Sequence, residues 1–202
     1  MNLKAFEALD ELGVSSSPPQ LARLRSYIEF LEHWNRRMNL TALEGEALVR
    51  RLVAEPLWVA EQLKPGGRYL DIGSGNGSPG IPWQIHCEFN TAFLVEARQR
   101  RSVFLRHVAH SLGLGAVRVH AARVEECVSD LAPVGWITLQ GMRLTADLYE
   151  SLSPVCEEAA RIVWFTRGAD SPIAPEETLQ IPGTDRLAMV FRVSRWTSSG
   201  SS

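Results

Sequence analysis

Lysine is nearly missing from this chain of 202 residues: of its 21 basic side chains, only Lys4 and Lys64 are not arginine. An arginine's planar, permanently charged fork suits phosphate recognition better than a flexible ammonium does, although the same preference also fits a compositional bias of a whole genome. Cysteine is scarce too. Cys87, Cys127 and Cys156 lie far apart with no metal-ligand spacing, which excludes a disulfide framework and a zinc site and leads us to expect no metal and a reducing compartment. No apolar run is long enough to span a membrane. The first residues carry Glu7, Asp10 and Glu11 and lack the apolar centre of a signal peptide, so a cytoplasmic protein is expected. Positive charge is not in excess either, the formal net charge being −2, yet it is unevenly spread. Six arginines fall between Arg98 and Arg123 with no acid among them, Glu96 lying just before.

What is present is enough apolar side chain, 45%, to bury a sizeable single core. Leu3, Phe6, Leu9 and Leu12 at helical spacing, stopped by Gly13, predict a short helix. After Pro18-Pro19, the set Leu21, Leu24, Ile28, Leu31 and Trp34 predicts a long helix over Gln20–Met38, and a third helical stretch runs over Glu46–Leu63, kinked or divided at Pro56. Residues 1–64 therefore read as a helical cap. Beyond the turn Lys64-Pro65-Gly66-Gly67 the texture changes to short strand candidates at Arg68–Ile72, Thr91–Glu96, Ala116–Ala121, Val134–Leu139 and Arg161–Thr166, with helix-length intervals between them. The clearest of those helices covers Arg98–Leu112, with Val103, Phe104, Val108 and Leu112 expected to face inward. Such alternation predicts a parallel sheet with crossover helices over residues 65–196, closed by a hairpin-like pair at Glu177–Ile181 and Arg186–Ser194. Thr197–Ser202 reads as a frayed polar tail.

The stretch most informative about chemistry is Leu70-Asp71-Ile72-Gly73-Ser74-Gly75-Asn76-Gly77-Ser78-Pro79-Gly80-Ile81-Pro82. A strand ends, turns sharply on alternate glycines and hands over to a helix whose free N–H groups can face a ligand. Gly75-x-Gly77-x-x-Gly80 fits the dinucleotide fingerprint, with Glu96 as the acid that holds a ribose. Asp71-x-Gly73-x-Gly75-x-Gly77 fits equally well the turn that binds S-adenosyl-L-methionine. Asp71 weighs for the second reading, because an acid at the strand end opposes a pyrophosphate but favours a cationic amine and sulfonium. A nicotinamide-dependent oxidoreductase and a nucleoside-binding module stay open as alternatives.

The turn with its extension Gly77-x-Pro79-Gly80-Ile81-Pro82, together with Trp34-Asn35, Asn39-Leu40-Thr41, Phe104-Leu105-Arg106 and Arg123-Val124-Glu125-Glu126, resembles the bacterial small-subunit ribosomal RNA guanine-N7 methyltransferases, also known as glucose-inhibited division protein B. The resemblance covers nearly the whole chain. It implies a Rossmann-like class I S-adenosylmethionine-dependent methyltransferase fold, α/β, with a mostly parallel sheet, an antiparallel C-terminal strand and the N-terminal helical cap. It also implies S-adenosyl-L-methionine as cofactor, 16S ribosomal RNA or the small ribosomal subunit as partner, and a monomer. Asp71, Gly75 and Gly77 belong to the turn read above as the cofactor's; carried over by position, Gly73 and Ser78 line the cofactor, Glu96 takes the ribose, Val124 and Glu125 flank the adenine, and Arg143 stands close to where the methyl group is transferred. Arg100, Arg101 and Arg167 resemble positions that meet RNA. The chain departs from the family pattern at Ser78, Met142, Arg167-Gly168 and Leu52–Pro56.

The reaction so implied fits what the residues omit. An exocyclic amine acceptor calls for an Asn or Asp followed by two prolines and an aromatic after the fourth strand, but Leu139-Gln140-Gly141-Met142 stands there; carbon methylation calls for a cysteine nearby, and none is present. Guanine N7 offers an in-plane lone pair with no proton to remove, so orientation and electrostatics suffice, and an arginine can hold O6 by bidentate geometry. A small-molecule methyltransferase with a helical lid is the alternative within the same chemistry. For RNA, Trp34, Trp58 and Trp83 are candidates for stacking, although a Trp at helical spacing is more often core.

Overall fold

The computed structural model describes residues 6–168, 170–171 and 173–193. Leu3, Ser194 and the polar tail Thr197–Ser202 lie outside the described residues. Helix α1 spans Glu7–Glu11 and α2 spans Pro18–Met38. The start of α2 is set by Ser17, whose hydroxyl accepts from the Gln20 amide while the Gln20 side chain accepts from the Ser17 amide, a capping box with proline in the first turn. The third helical stretch is divided, but ahead of Pro56: α3 covers Gly45–Val49, a π-helical turn covers Arg50–Ala54, and α4 covers Glu55–Leu63. Pro56 sits in the first turn of α4, where its missing N–H costs nothing, so it starts a segment instead of kinking one.

The strands are β1 (Arg68–Ile72), β2 (Thr91–Val95), β3 (Val117–His120), β4 (Val134–Gln140), β5 (Cys156–Thr166), β6 (Glu177–Gln180) and β7 (Leu187–Arg192). Between them lie α5 (Gly80–Cys87), α6 (Gln99–Ser111), α7 (Val124–Cys127) and α8 (Ala146–Ser151). Seven strands form one sheet in the order β3-β2-β1-β4-β5-β7-β6, parallel from β3 to β5, with β7 antiparallel to both β5 and β6. This is a Rossmann-like α/β fold, and the order reverses between β1 and β4, which places a crevice at their C-terminal ends. Strand β5 begins five residues earlier than the hydrophobic run announces, because Cys156-Glu157-Glu158-Ala159-Ala160 carries no alternation to mark it.

One hydrophobic cluster joins the first four helices to one face of the sheet, with Leu24, Tyr27, Leu57, Tyr69, Trp83 and Phe104 all without exposed surface. A second cluster fills the other face around Ile72, Val95, Ile137, Leu139 and Ile162. Trp83 is therefore core: it stacks with Tyr69 and Phe89 and donates its indole N–H to the Pro56 carbonyl at 2.8 Å, so it has no part in RNA stacking. Val103 corrects the inward set predicted for α6. It is 45% exposed, because it lies about 100° round the helix from Phe104, on a different face.

Candidate functional site

The site grows from the end of β1. Leu70 and Ile72 point into the second cluster, so alternation turns Asp71 to the opposite face, where it has no exposed surface. Its register partner on β4 is Thr138, whose hydroxyl donates to Asp71 Oδ1 at 2.6 Å. That hydroxyl has a single proton to give, so Tyr69 donates in turn to Thr138 at 2.5 Å, and a buried relay Tyr69–Thr138–Asp71 results. Burial pushes the Asp71 carboxyl up to about 7, with the Glu96 charge adding to the rise, while the Thr138 and Ser74 hydroxyls and the Gly80 amide pull the other way. Oδ2 makes no hydrogen bond of full geometry. Gly80 is required at this point, since a Cβ there would come within 2.7 Å of Oδ2 and 2.6 Å of Leu94. Asp71 thus lies beneath the turn as a charge held below its floor and reaches no open surface, whereas the residue pattern alone leaves direct contact with an ammonium open.

Above it, the Gly73 and Ser74 amides donate to the Val95 carbonyl, and the Gly77 amide donates to the Ser74 carbonyl. Glu96, at the tip of β2, accepts from the Gly75 amide on Oε2 at 2.9 Å and from the Arg98 amide on Oε1 at 2.7 Å. One lone pair on each oxygen stays free, on a side chain only 6% exposed. Two hydroxyls of a ribose would complete such a carboxylate. Gly73 is exposed, has φ +69°, and a Cβ there would meet Met142 Sδ at 3.0 Å, so the loop after β4 touches the turn directly. Gly75 and Gly77 are buried. Ser78 is also buried, and its hydroxyl has no protein partner. The backbone cradle, the half-filled Glu96 carboxylate and the unpartnered Ser78 and Asp71 oxygens fit a cationic adenosine cofactor such as S-adenosyl-L-methionine.

The other expected residues divide into two groups. Val124 packs in the same cluster as Ile72 and Val95 while Glu125 is exposed on the first turn of α7, so this pair flanks the sheet's C-terminal edge. Arg143 is exposed on the wall of a hollow of about 540 Å³ between the ends of β4 and β5, with Met142, Trp164, Thr166 and Asp170 among the other residues that line it. Trp164 fixes that wall by donating its indole N–H to the Met142 carbonyl at 2.9 Å. Arg101 approaches the turn: its guanidinium comes within 3.6 Å of the position a Cβ on Gly75 would take. Arg100 is exposed beside the cap, and Arg167, also exposed, pairs with Asp185 at 3.6 Å. Three contributors are invisible in sequence: Thr138 and Tyr69 read as ordinary strand residues, and Asp170 follows the last recognisable strand residue with no motif around it. Only the register of β1 with β4 reveals the first two.

A family model described as rRNA small subunit methyltransferase G (GidB) matches residues 20–177. The chain belongs to that family. Among relatives named ribosomal RNA small subunit methyltransferase G, that of Syntrophotalea carbinolica is 31% identical over 167 residues, 81% of this chain and 76% of the relative. The relative from Klebsiella pneumoniae is 38% identical over 124 residues, covering 60% of this chain and 59% of its own length, and that from Laribacter hongkongensis is 40% identical over 128 residues, covering 62% and 61%. The matched part thus spans about three quarters of the first relative and about three fifths of the other two. In fold, the chain is similar to an RNA methyltransferase from Salinibacter ruber in complex with S-adenosyl-L-homocysteine, with TM-score 0.54 and 17% identity over 79% of this chain and 98% of that one. It is also similar to a putative methyltransferase from Escherichia coli, with TM-score 0.59 and 15% identity over 70% and 86%. No helix among the described residues is long and apolar enough to cross a membrane, and they contain no cluster of three or more metal-ligating side chains.

Proposed function

We propose that this chain transfers a methyl group from S-adenosyl-L-methionine to N7 of a guanine in 16S ribosomal RNA. The observation that carries the reading is the contact of Met142 with Gly73, because it joins the turn that fits the cofactor to the hollow that Arg143 lines. Family membership agrees with it.

The cofactor, when bound, supplies an electrophilic methyl carbon that the in-plane N7 lone pair takes in line, the S–C electron pair returning to sulfur. The chain's residues do the rest. Glu96 holds the ribose, the Gly73–Gly77 backbone lets the methionine end lie close, and Asp71 favours its positive charge from below. Arg143 would donate to O6, and Asp170, an acid lining the same hollow, would accept from the N1–H and N2–H donors of guanine. Adenine presents the reverse pattern, a donor at C6 and an acceptor at N1, so the pair selects guanine. N7 needs no general base, and transfer moves positive charge from sulfur to the base.

The test is to incubate the protein with labelled cofactor and small subunits, naked 16S RNA or a metabolite extract, and to map N7-methylguanine. Label in 16S RNA is expected; label confined to small molecules overturns the reading. Arg143→Ala is expected to lower kcat/KM roughly 10- to 150-fold, the worth of one charge-assisted hydrogen bond to O6, about 1.5–3 kcal/mol, with S-adenosyl-L-homocysteine affinity unchanged.

A further inference from the structure

A groove of about 750 Å³ runs between α2 and α6, outside the turn and the acceptor hollow. Two side-chain stripes build it. On α2, Phe30, Trp34 and Arg37 recur at four and three residues; on α6, Arg100, Val103 and His107 recur at three and four, so each trio shares one helix face. Neither is the core face of its helix, which belongs to Leu24, Ile28 and Leu31 on α2 and to Phe104, Leu105 and Val108 on α6. The groove floor is nevertheless ordered. The His107 ring meets Phe30 edge-on at 5.2 Å and Trp34 at 5.4 Å, and Trp34 rests against buried Phe104 at 5.8 Å. Val103, 45% exposed, is the one large apolar side chain that stands exposed among the described residues.

Charge decides the occupant. Arg37 and Arg100 lie exposed along the groove, and among the described residues Glu29 is the only carboxylate that lines it. A floor of partly exposed rings between two guanidinium groups is the combination that holds unpaired nucleotides, the base on the rings and the phosphates on the cations. The groove and the cofactor turn are joined through α2 and the start of α6, since Tyr27, three residues before Phe30, donates to the Asn76 carbonyl, and Arg100 follows Glu96 by four residues. We infer that this groove binds an unpaired nucleotide that flanks the target guanine in the RNA substrate. The inference rests on the RNA methyltransferase reading above.

Val103→Glu puts a carboxylate on the floor, and Arg37→Glu inverts one edge; both sites are exposed, and an unchanged melting temperature and S-adenosyl-L-homocysteine affinity will show that each variant is folded. Each variant is expected to lose about tenfold in kcat/KM on small subunits, in line with the loss of one stacked base or one phosphate contact. Ultraviolet irradiation of the wild type on small subunits should attach RNA to the peptides that contain Trp34 or His107. Unchanged kcat/KM in both variants, or crosslinks from those peptides to a ribosomal protein in place of RNA, overturns the inference. If the wild type methylates no ribosomal RNA, it is the functional reading that fails. The groove is then judged by fluorescence anisotropy with a single-stranded oligouridylate: about tenfold weaker binding by Val103→Glu supports the nucleotide site, and equal affinity removes it.

Discussion

Asp71 and Glu55 are both carboxylates without exposed surface, and they sit in opposite electrostatic settings. Around Asp71 the hydrogen-bond partners are hydroxyls and an amide, all neutral; burial raises its carboxyl to about 7 against their opposing pull, and its charge is available to answer an incoming cation. Around Glu55 the partners are guanidinium groups. Arg186 from the β6–β7 turn grips both oxygens, with Nε at 2.7 Å from Oε2, and Arg51 from the π-helical turn adds a contact at 3.3 Å. Next to it, Arg50 ties Glu11 to the Pro182 carbonyl, so the helices of the first sixty residues are fastened to the C-terminal hairpin. Burial alone therefore says little about a carboxylate's role. Neutral partners leave a charge responsive, and fixed cations turn it into a fastener.

The comparison is most exposed to failure at Glu55. Glu55→Ala takes the buried carboxylate from two largely buried arginines, Arg186 keeping only Asp185 at 3.9 Å, and is expected to cost about 3 kcal/mol, read as a drop in the denaturant midpoint, while the folded fraction keeps its affinity for S-adenosyl-L-homocysteine. A loss of cofactor affinity with no loss of stability would reverse the assignment of the two acids. Asp71→Asn keeps the shape and the acceptor for Thr138 but removes the charge. Affinity for S-adenosyl-L-methionine should fall roughly tenfold, about 1.4 kcal/mol for a charge that acts through the turn without direct contact, and calorimetry measures it directly.

A pH series sharpens the contrast at smaller cost to the protein. Asp71 titrates at its ordinary 3.8 in the unfolded chain and at about 7 in the folded one. Between those values the folded state holds the extra proton, so this group makes stability decline as pH rises from 3.8 to about 7, and the decline is complete above that. Cofactor affinity should run the other way and strengthen as pH passes through about 7. Asp71→Asn should flatten both curves; a wild-type affinity that is level across this range would remove Asp71 from cofactor binding. The mildest change is Thr138→Val, which takes one hydroxyl from Asp71 and leaves the Tyr69 hydroxyl without an acceptor. It should move the affinity midpoint upward and cost about 1–3 kcal/mol of stability, whereas an unchanged midpoint would mean the relay does not tune the acid.

The same two acids mark how far sequence carries. Asp71, Gly73, Gly75 and Glu96 announce themselves because a glycine turn between a strand and a helix needs neighbours in the chain, and β1 to β4 fall within two residues of their expected ends at either side. Glu55 gives no such signal: its partner Arg186 is 131 residues away, and a lone acid on a helix reads as solvated. Val103 fails for a related reason, since apolar character alone cannot say which of two adjacent helix faces meets the core. The π-helical turn and the early start of β5 escape as well, because both are imposed by packing and neither is visible in local propensity.

Helix α2 touches both the glycine turn and the groove beside α6. A single rod of 21 residues, roughly 30 Å long, steadies the cofactor turn through Tyr27 and offers its far half to the groove. If the groove holds RNA as inferred, any effect of that RNA on the hold on the methyl donor must be matched by an equal effect of the donor on the hold on RNA. One ratio, cofactor affinity with and without small subunits, would report how the enzyme orders its two arrivals.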